Sequence, residues 1–236
     1  MLEDVSIEPM TESFILWRCL HGGPLSRETI DKFPSDGKVD WTTRRAINVP
    51  LLRKIVKTYG TCAILARDGD QVIGFLFFYP KILYSLKEAG GLCLQQAFPN
   101  GPSKRLVEMR FPPLEEIQDK TLTVRCLMTG SPFQDENPYQ RRGIGTRMAR
   151  ELMRWAKENG WESIEAKANE DLDILYAHTG QAGRHFWGKL GFHIVKTETK
   201  PRFRGEFLTT MLEQAKTQNL LPEDIQNEYT MRFELT

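Results

Sequence analysis

The chain has 236 residues, of which 40% are hydrophobic and 27% charged, and its formal net charge is +1. This length and apolar content allow one sizeable buried core, and we expect residues 1–236 to form one elaborated domain. The near-zero net charge provides no general attraction to nucleic acid or to an anionic membrane, so we predict neither partner.

The cysteines and the amino terminus both indicate a reducing compartment. Cys19, Cys62, Cys93 and Cys126 are far apart and form no C-x-x-C pair, so we expect free, buried thiols. The first four residues include two acids where a signal peptide would be basic, and no apolar run is long enough for a membrane span. We therefore predict a cytoplasmic protein.

The first predicted elements are a short strand at residues 5–8 and a helix that Thr11 can cap. This helix would place three large side chains on one face and end at Gly22, the three being Phe14, Trp17 and Leu20. A second helix is predicted to begin near Pro50 and to end at Gly60.

A β-hairpin follows the second predicted helix. Residues 61–67 and 71–79 are rich in strand-forming side chains, and Asp68-Gly69-Asp70 between them has the composition of a tight turn. Residues 81–120 then form a long connection with one helix predicted near Ile82. Long connections are often functional, and we expect this one to form a wall or a lid of a substrate pocket. It could equally cover a sheet edge or make an oligomer contact.

Residues 121–128 alternate in polarity and predict a central strand. The turn Gln140-Arg141-Arg142-Gly143-Ile144-Gly145-Thr146 comes next and opens into an amphipathic run at residues 147–159. Such a turn leaves backbone N–H groups free at the positive end of a helix dipole, which favours phosphate. Glycine at 143 and 145 lets a pyrophosphate approach, although glycines also form turns for structural reasons alone.

Two familiar phosphate motifs fit this turn poorly, because it has no Lys-Ser/Thr pair and only half of a G-x-G-x-x-G fingerprint. The rest of the chain predicts a strand at residues 161–168, a helix ending the polar run 169–181 and a strand at 193–197. An additional helix is predicted at about 206–218, and a closing strand runs to Leu235.

Two landmarks give the chain a family resemblance. Gln140-x-x-Gly143-x-Gly145, preceded by Tyr139, resembles the pyrophosphate signature of the GNAT superfamily of N-acetyltransferases. The segment 186–192, which closes in Leu-Gly-Phe, is similar to that family's second landmark. The resemblance implies an α/β (α+β) fold in which helices flank a mixed, mostly antiparallel central sheet, here with two insertions, at about 81–120 and 206–218.

The same resemblance implies acetyl-CoA as the cofactor. Its pyrophosphate is expected on the turn at Gln140, Arg141, Arg142, Gly143, Ile144, Gly145 and Thr146. Its pantetheine arm is expected beside the end of the central strand, at Leu127 and Met128. GNAT enzymes transfer the acetyl group by direct attack of an amine, which calls for a base and for a proton donor, commonly a tyrosine. No metal is expected.

The sequence departs from the family pattern at three places. The usual tyrosine falls on Trp187, which we expect to pack against the cofactor arm or the core, and a common asparagine falls on Gly180. The central strand lacks the carboxylate that many members use as a base. Replacement candidates are Tyr176 and His185, together with His178, although each is also typical of a surface or of a core edge.

These features predict an acetyl-CoA-dependent N-acetyltransferase that acts on a small-molecule or protein amine. The alternative is a CoA or acyl-CoA sensor that binds without turnover, as the missing tyrosine suggests. A domain that uses the turn for protein or nucleic-acid contacts is a third and weaker reading. The sequence leaves open a homodimer and does not identify the amine.

Overall fold

The computed structural model describes residues 4–32, 40–85, 108–131, 137–201 and 203–235. The strands are β1 (Ser6–Pro9), β2 (Ala63–Asp68), β3 (Gln71–Pro80), β4 (Thr121–Thr129), β5 (Ser163–Ala168), β6 (His193–Thr199) and β7 (Asn227–Glu234). The helices are α1 (Trp41–Tyr59), α2 (Ile82–Ser85), α3 (Ile144–Glu158), α4 (Asp173–Thr179), α5 (Arg184–Gly188) and α6 (Gly205–Thr217), with 3₁₀ turns at Leu114–Glu116 and Asp224–Gln226.

The seven strands form one sheet in the order β1-β2-β3-β4-β5-β7-β6. Strands β4 and β5 pair in parallel, and the other neighbouring strands pair antiparallel. A parallel pair needs a crossover connection, which α3 provides between β4 and β5. The predicted fold class, a mostly antiparallel mixed sheet flanked by helices, is confirmed.

Strands β4 and β5 diverge toward their carboxyl ends, and this divergence positions the site. Their pairing extends from Thr121–Ser163 to Val124–Ala166, whereas β4 continues to Thr129. On its other side β4 carries a bulge, because Phe77 pairs with Cys126 and Phe78 with Val124. Bulges bend a strand and often lie next to active sites. The sheet therefore opens beside the second half of β4.

Helix α3 packs on the sheet through the apolar face that the sequence predicts. Its buried residues recur at helical spacing and are Ile144, Met148, Ala149, Leu152, Trp155 and Ala156. The Trp155 ring lies 5.4 Å from that of Phe78 on β3. On the exposed face Arg154 pairs with Glu151 and Glu158. This packing fixes the amino end of α3 beside the opening between β4 and β5.

The predicted additional helix is present as α6, and it packs against α4 away from the sheet. The two helices share a small apolar cluster of buried residues, namely Leu172, Leu175, Phe203, Met211, Ala215 and Ile225. This second cluster packs α4 against α6. The segment between β5 and β6 and the segment between β6 and β7 therefore share a small core beside the main one.

The helix predicted after Thr11 is wrong. Residues 11–24 consist of turns and bends, and Phe14 to Trp17 are four consecutive buried residues. A helix in this position would turn part of that run toward solvent, whereas an irregular segment can bury all four side chains. Burial of the whole run therefore outweighs the helical periodicity of Phe14, Trp17 and Leu20.

Helix α1 begins well before Pro50, at Trp41. Asp40 caps it by accepting a hydrogen bond from the Thr43 N–H at 3.0 Å. Pro50 therefore lies inside the helix, where it removes a backbone hydrogen bond at a cost of about 3 kcal/mol. Leu51, Leu52 and Ile55 are fully buried beside it, and their burial offsets that cost.

Several predictions fall partly or wholly outside the described residues. Most of the connection at 81–120 lies there, as do Cys93 and the loop residues 132–136. Cys62 and Cys126 are buried, as predicted, while Cys19 is half-buried. Among the described residues, no helix is both long and apolar enough to cross a membrane.

Candidate functional site

The opening beside β4 leads into a cavity of about 350 Å³ with two facing sides. We call residues 139–146 the glycine turn and residues 170–186 the facing segment. The first side consists of Leu127, Thr129, Tyr139, Gln140, Arg141, Gly143, Ile144, Gly145 and Thr146. The second side consists of Glu170, Asp171, Leu172, Asp173, Tyr176, Gln181, Ala182, Gly183 and Phe186.

The glycine turn presents the amino end of α3 to the cavity. Gly143 occupies the N-cap position with φ 75°, and no side chain of the described residues caps this helix end. Arg141 also has a positive φ, 56°, which is uncommon for a residue with a side chain. The first N–H groups of α3 lie at the positive end of its dipole, so the turn is suited to bind an anion.

Asn137 holds the glycine turn against the end of β4. Its Nδ2 donates to the carbonyl oxygens of Thr129 and Ser131 at 2.8 and 3.0 Å, and its Oδ1 accepts from the Tyr139 N–H at 3.0 Å. The sequence did not predict this role. The available signal is the Asn137-Pro138 dipeptide, which favours turn initiation.

Gly145 keeps the cavity open where three elements meet. A Cβ atom at this position would lie 3.4 Å from Leu127 Cδ2 on β4 and 3.7 Å from Phe186 Cε2 on α5. Any larger side chain would fill the space between them. The absence of a side chain at Gly145 therefore sets the width of the cavity at this point.

Tyr176 on α4 reaches the end of β4 across the cavity. Its hydroxyl group lies close to Thr129, and burial raises the pKa of Tyr176 to about 12. Helix α4 ends at Gly180, which has φ 64° and whose carbonyl oxygen accepts from the Leu127 N–H at 2.9 Å. The facing segment is thus attached to the second half of β4.

Glu170 is a buried carboxylate at the exit of β5. Its Oε1 accepts hydrogen bonds from the Tyr229 hydroxyl at 2.6 Å and from Arg184 Nε at 2.8 Å. Burial, and secondly the hydrogen bond to Glu170, raise the pKa of Tyr229 to about 12. The phenol is therefore protonated at neutral pH, as a donor to Glu170 must be. Sequence patterns gave no indication of this group.

Two further acids of the facing segment have partners of their own. Asp171 Oδ2 accepts from the backbone N–H and Nδ1 of His185, at 3.0 and 2.8 Å. Asp173 forms an ion pair of 3.0 Å with Arg141 of the glycine turn, and both side chains are more than 80% exposed. This ion pair links the two sides of the cavity at its mouth.

The cavity wall contains most of the predicted cofactor-binding residues. It includes Leu127, Gln140, Arg141, Gly143, Ile144, Gly145 and Thr146, as well as the predicted catalytic residue Tyr176. The exposed Arg142 and the buried Met128 lie outside it. The side chain of Arg147 is directed elsewhere, since it donates to the Val5 carbonyl oxygen at 2.6 Å.

Trp187, His185 and His178 also lie outside the cavity wall. The Trp187 ring is buried between Phe186 and Phe192, at centroid distances of 5.0 and 4.9 Å. His185 is exposed on α5, and the His178 ring packs against Phe203 of the small apolar cluster. The side chain of Trp187 therefore belongs to the core.

The acetyltransferase (GNAT) family model matches residues 136–192, which include both sequence landmarks. No curated protein matches the chain. A GNAT acetyltransferase structure from Streptococcus pneumoniae is similar over 99% of this chain and 100% of that one, with a TM-score of 0.50 and 12% identity. An N-acetyltransferase from Staphylococcus aureus Mu50 is similar over 99% and 100%, with a TM-score of 0.48 and 11% identity.

An IAA acetyltransferase from Bacillus cereus ATCC 14579 is similar over 98% of this chain and 99% of that one, with a TM-score of 0.44 and 14% identity. At such low identities structural likeness speaks only to the fold. The family match adds the two landmarks, which lie on the glycine turn and at the end of α5. The match of the GNAT family model to residues 136–192 confirms the resemblance that the two sequence landmarks predicted.

Proposed function

We propose that this protein is an acetyl-CoA-dependent N-acetyltransferase in which an amine attacks the acetyl group directly. The observation that carries the proposal is the uncapped amino end of α3, which Gly143 exposes to a cavity between β4 and the facing segment. The free N–H groups of an uncapped helix end in a cavity wall favour binding of an anion, and the pyrophosphate of acetyl-CoA is such an anion.

The two sides of the cavity fit different parts of acetyl-CoA. The N–H groups of Ile144, Gly145 and Thr146, with Arg141 beside them, offer donors and positive charge to the pyrophosphate. The half of β4 that has parted from β5 lines the cavity at Leu127 and Thr129, where the pantetheine arm would lie. When bound, acetyl-CoA supplies an acetyl thioester, which is activated toward attack by an amine.

Tyr176 is the proton donor in this proposal. Its pKa of about 12 keeps the phenol protonated at neutral pH, and it lies in the cavity wall opposite Leu127. Trp187 cannot replace it, because the indole N–H is a poor acid and lies in the core. The donor would thus come from α4 and not from the helix of the second landmark.

The first test compares two glycine variants. Gly143→Val and Gly69→Val each place a side chain at a positive φ, 75° and 58°, with no atom within 4 Å of the added Cβ. Both variants carry a similar backbone strain, but Gly69 lies in the β2–β3 hairpin and is not part of the cavity wall. We expect Gly143→Val to weaken acetyl-CoA binding by about 100-fold or more, equivalent to about 2.7 kcal/mol.

Binding is measured by calorimetry and by thermal unfolding with acetyl-CoA, CoA and NAD. A ligand at about 100 times its dissociation constant adds about 2.7 kcal/mol of stability, so wild type and Gly69→Val should be stabilised by acetyl-CoA and CoA only. Equal acetyl-CoA binding by the Gly143 and Gly69 variants would contradict the proposal, as would stabilisation by NAD.

A turnover measurement distinguishes an enzyme from a CoA-binding sensor, the alternative that Trp187 suggests because it replaces the usual tyrosine. Polyamines, amino acids, aminoglycosides and peptide amino groups are incubated with acetyl-CoA, and the released thiol is measured. Release above the rate without protein, lost in Gly143→Val, is the expected result. Tight acetyl-CoA binding without turnover of any of these amines would instead identify a sensor.

A further inference from the structure

Glu170 differs from the other carboxylates of the cavity wall. Among the described residues that line the cavity, the acids are Glu170, Asp171 and Asp173. The side chains of Asp171 and Asp173 are 34% and 81% exposed, whereas that of Glu170 is 0% exposed. Glu170 is therefore the most deeply buried acid among the residues that line the cavity.

The two oxygens of Glu170 have different surroundings. Oε1 accepts from Tyr229 and Arg184, whereas Oε2 is buried and has no hydrogen-bond partner. An unpartnered buried acceptor costs about 1–3 kcal/mol, and more when it is charged. A ligand that donates a hydrogen bond to Oε2 would recover this free energy, and unpaired buried groups are characteristic of functional sites.

The position of Glu170 suits an acceptor amine. It follows β5 at the point where β5 has parted from β4, and it shares a cavity wall with Leu127, Thr129 and Tyr176. We propose that Glu170 Oε2 is the general base that takes a proton from the acceptor amine, an inference that rests on the function proposed above. Tyr229 and Arg184 act as positioning residues that occupy Oε1 and direct the proton to Oε2.

The proton transfers balance in this assignment. The amine nitrogen forms a bond to the acetyl carbon, and Glu170 takes one of the nitrogen's protons. The carbon–sulfur bond breaks with its electron pair going to sulfur, and Tyr176 supplies the proton of the resulting thiol. The proton held by Glu170 returns to the Tyr176 phenolate through solvent, so both side chains end in their starting states.

Charged and titratable groups surround Glu170 from three elements. Arg184 and His185 belong to α5, Tyr229 to β7, and Asp171 to the same loop as Glu170. A carboxylate oxygen of Glu170, a carboxylate oxygen of Asp171 and a ring nitrogen of His185 lie within 4.8 Å of one another. Arg184 balances the negative charge of Glu170, which makes its burial tolerable. His185 hydrogen-bonds to Asp171, the neighbour of Glu170, so it needs its own control.

The test measures the pH dependence of kcat/KM in Glu170→Gln with an amine that the wild type acetylates. We expect kcat to fall by about 100-fold to 10,000-fold, the usual contribution of a general base, and the acid limb of the profile to disappear. Acetyl-CoA binding should stay within a few-fold of wild type. Glu170→Asp keeps the carboxylate, so it should retain the acid limb of the profile with a lower kcat. This variant also tests the assignment if Glu170→Gln does not fold.

Glu165→Gln is the matched control. Glu165 is a 9% exposed carboxylate on β5 that accepts from two cations, Lys81 at 2.8 Å and Arg232 at 3.3 Å, but it is not part of the cavity wall. This variant should keep both the rate and the acid limb. Tyr229→Phe should lower kcat less than Glu170→Gln and move the limb to higher pH, because the carboxylate loses a donor that stabilises its charged form.

Three results would overturn the assignment. Wild-type rate and an intact acid limb in Glu170→Gln would remove it while leaving the proposed function in place. Loss of the limb in Glu165→Gln or His185→Gln, with the limb retained in Glu170→Gln, would assign the titration to another group. If the wild type acetylates no amine, the proposed function and this assignment both fail.

Discussion

The two sides of the cavity offer different kinds of chemical group to a ligand. The glycine turn offers backbone N–H groups, whose positions follow from the conformation of Gly143 and from the start of α3. The facing segment offers side chains, among them Glu170 and Tyr176, whose positions follow from how α4 and α5 pack. Binding by backbone depends on a few glycines, whereas side-chain chemistry depends on many tertiary contacts.

This difference explains why one side follows the family pattern and the other departs from it. Any sequence that forms the turn provides the same N–H groups, so the motif from which pyrophosphate binding is predicted is short and recognisable. A proton donor can come from any element that reaches the same space. Here Trp187 fills the core at the position of the usual tyrosine, and Tyr176 on α4 faces β4 instead.

The largest effect is expected on the glycine turn, from Gly145→Leu. A Cβ at this position already lies 3.4 Å from Leu127 Cδ2, so a leucine side chain would occupy the cavity itself. We expect acetyl-CoA affinity to fall by more than about 100-fold, equivalent to about 2.7 kcal/mol. The measurement is calorimetric titration.

Gly145→Ala is the control for the Gly145→Leu variant. It should stabilise α3 by up to about 1 kcal/mol, because alanine favours a helix more than glycine does. It should also lose much less affinity than Gly145→Leu, since its methyl group only reaches contact distance of Leu127. If both variants bind acetyl-CoA as wild type does, the glycine turn does not bind the cofactor. The contrast between backbone binding on this side and side-chain chemistry on the other would then be wrong.

A smaller effect is expected on the facing segment, from Tyr176→Phe. We expect kcat to fall by about 100-fold, as is usual when a proton donor is lost, with acetyl-CoA affinity nearly unchanged. Because the pKa of Tyr176 is about 12, the wild-type profile should show no basic limb from this group below about pH 11. Steady-state kinetics between pH 6 and about 10 tests both expectations.

Tyr59→Phe is the matched control for Tyr176→Phe. Burial raises the pKa of Tyr59 to about 12 as well, but its hydroxyl donates to the Pro112 carbonyl oxygen at 2.8 Å, away from the cavity. This variant should lose some stability and keep its turnover. An unchanged kcat in Tyr176→Phe would show that the facing segment supplies no proton through this residue.

The sequence predicted the elements whose signals are local. The hairpin at Asp68-Gly69-Asp70, the buried face of α3 and the glycine turn each depend on residues close together in the chain, and all three are present. The helix predicted after Thr11 failed because burial of Phe14 to Trp17 is a tertiary requirement. The start of α1 was misplaced because packing of Leu51 and its neighbours outweighs the cost of Pro50.

The facing segment could not be predicted in the same way. The role of Glu170 depends on contacts with Tyr229 on β7 and Arg184 on α5, which no local spacing encodes. Asn137 is a similar case, because its partners on β4 become neighbours only when the chain folds. Of the predicted catalytic residues, Tyr176 lines the cavity, whereas His185 lies outside its wall.

The smallest effect is expected where the two sides meet, from Asp173→Asn. The Arg141–Asp173 ion pair is exposed, so its loss should change the free energy of unfolding by less than about 1 kcal/mol. It would, however, free Arg141 for a phosphate. We expect acetyl-CoA affinity to rise by about 2-fold to 5-fold at low salt, and the gain to shrink at 0.5 M salt, where exposed charges are strongly screened.

Glu116→Gln is the control for Asp173→Asn, because it breaks another exposed ion pair of 3.0 Å, with Arg110, away from the cavity. It should leave acetyl-CoA affinity unchanged at both salt concentrations. A loss of affinity in Asp173→Asn would mean that the ion pair holds Arg141 in its binding position. In that case the facing segment would contribute to cofactor binding, and the division of labour between the two sides would have to be redrawn.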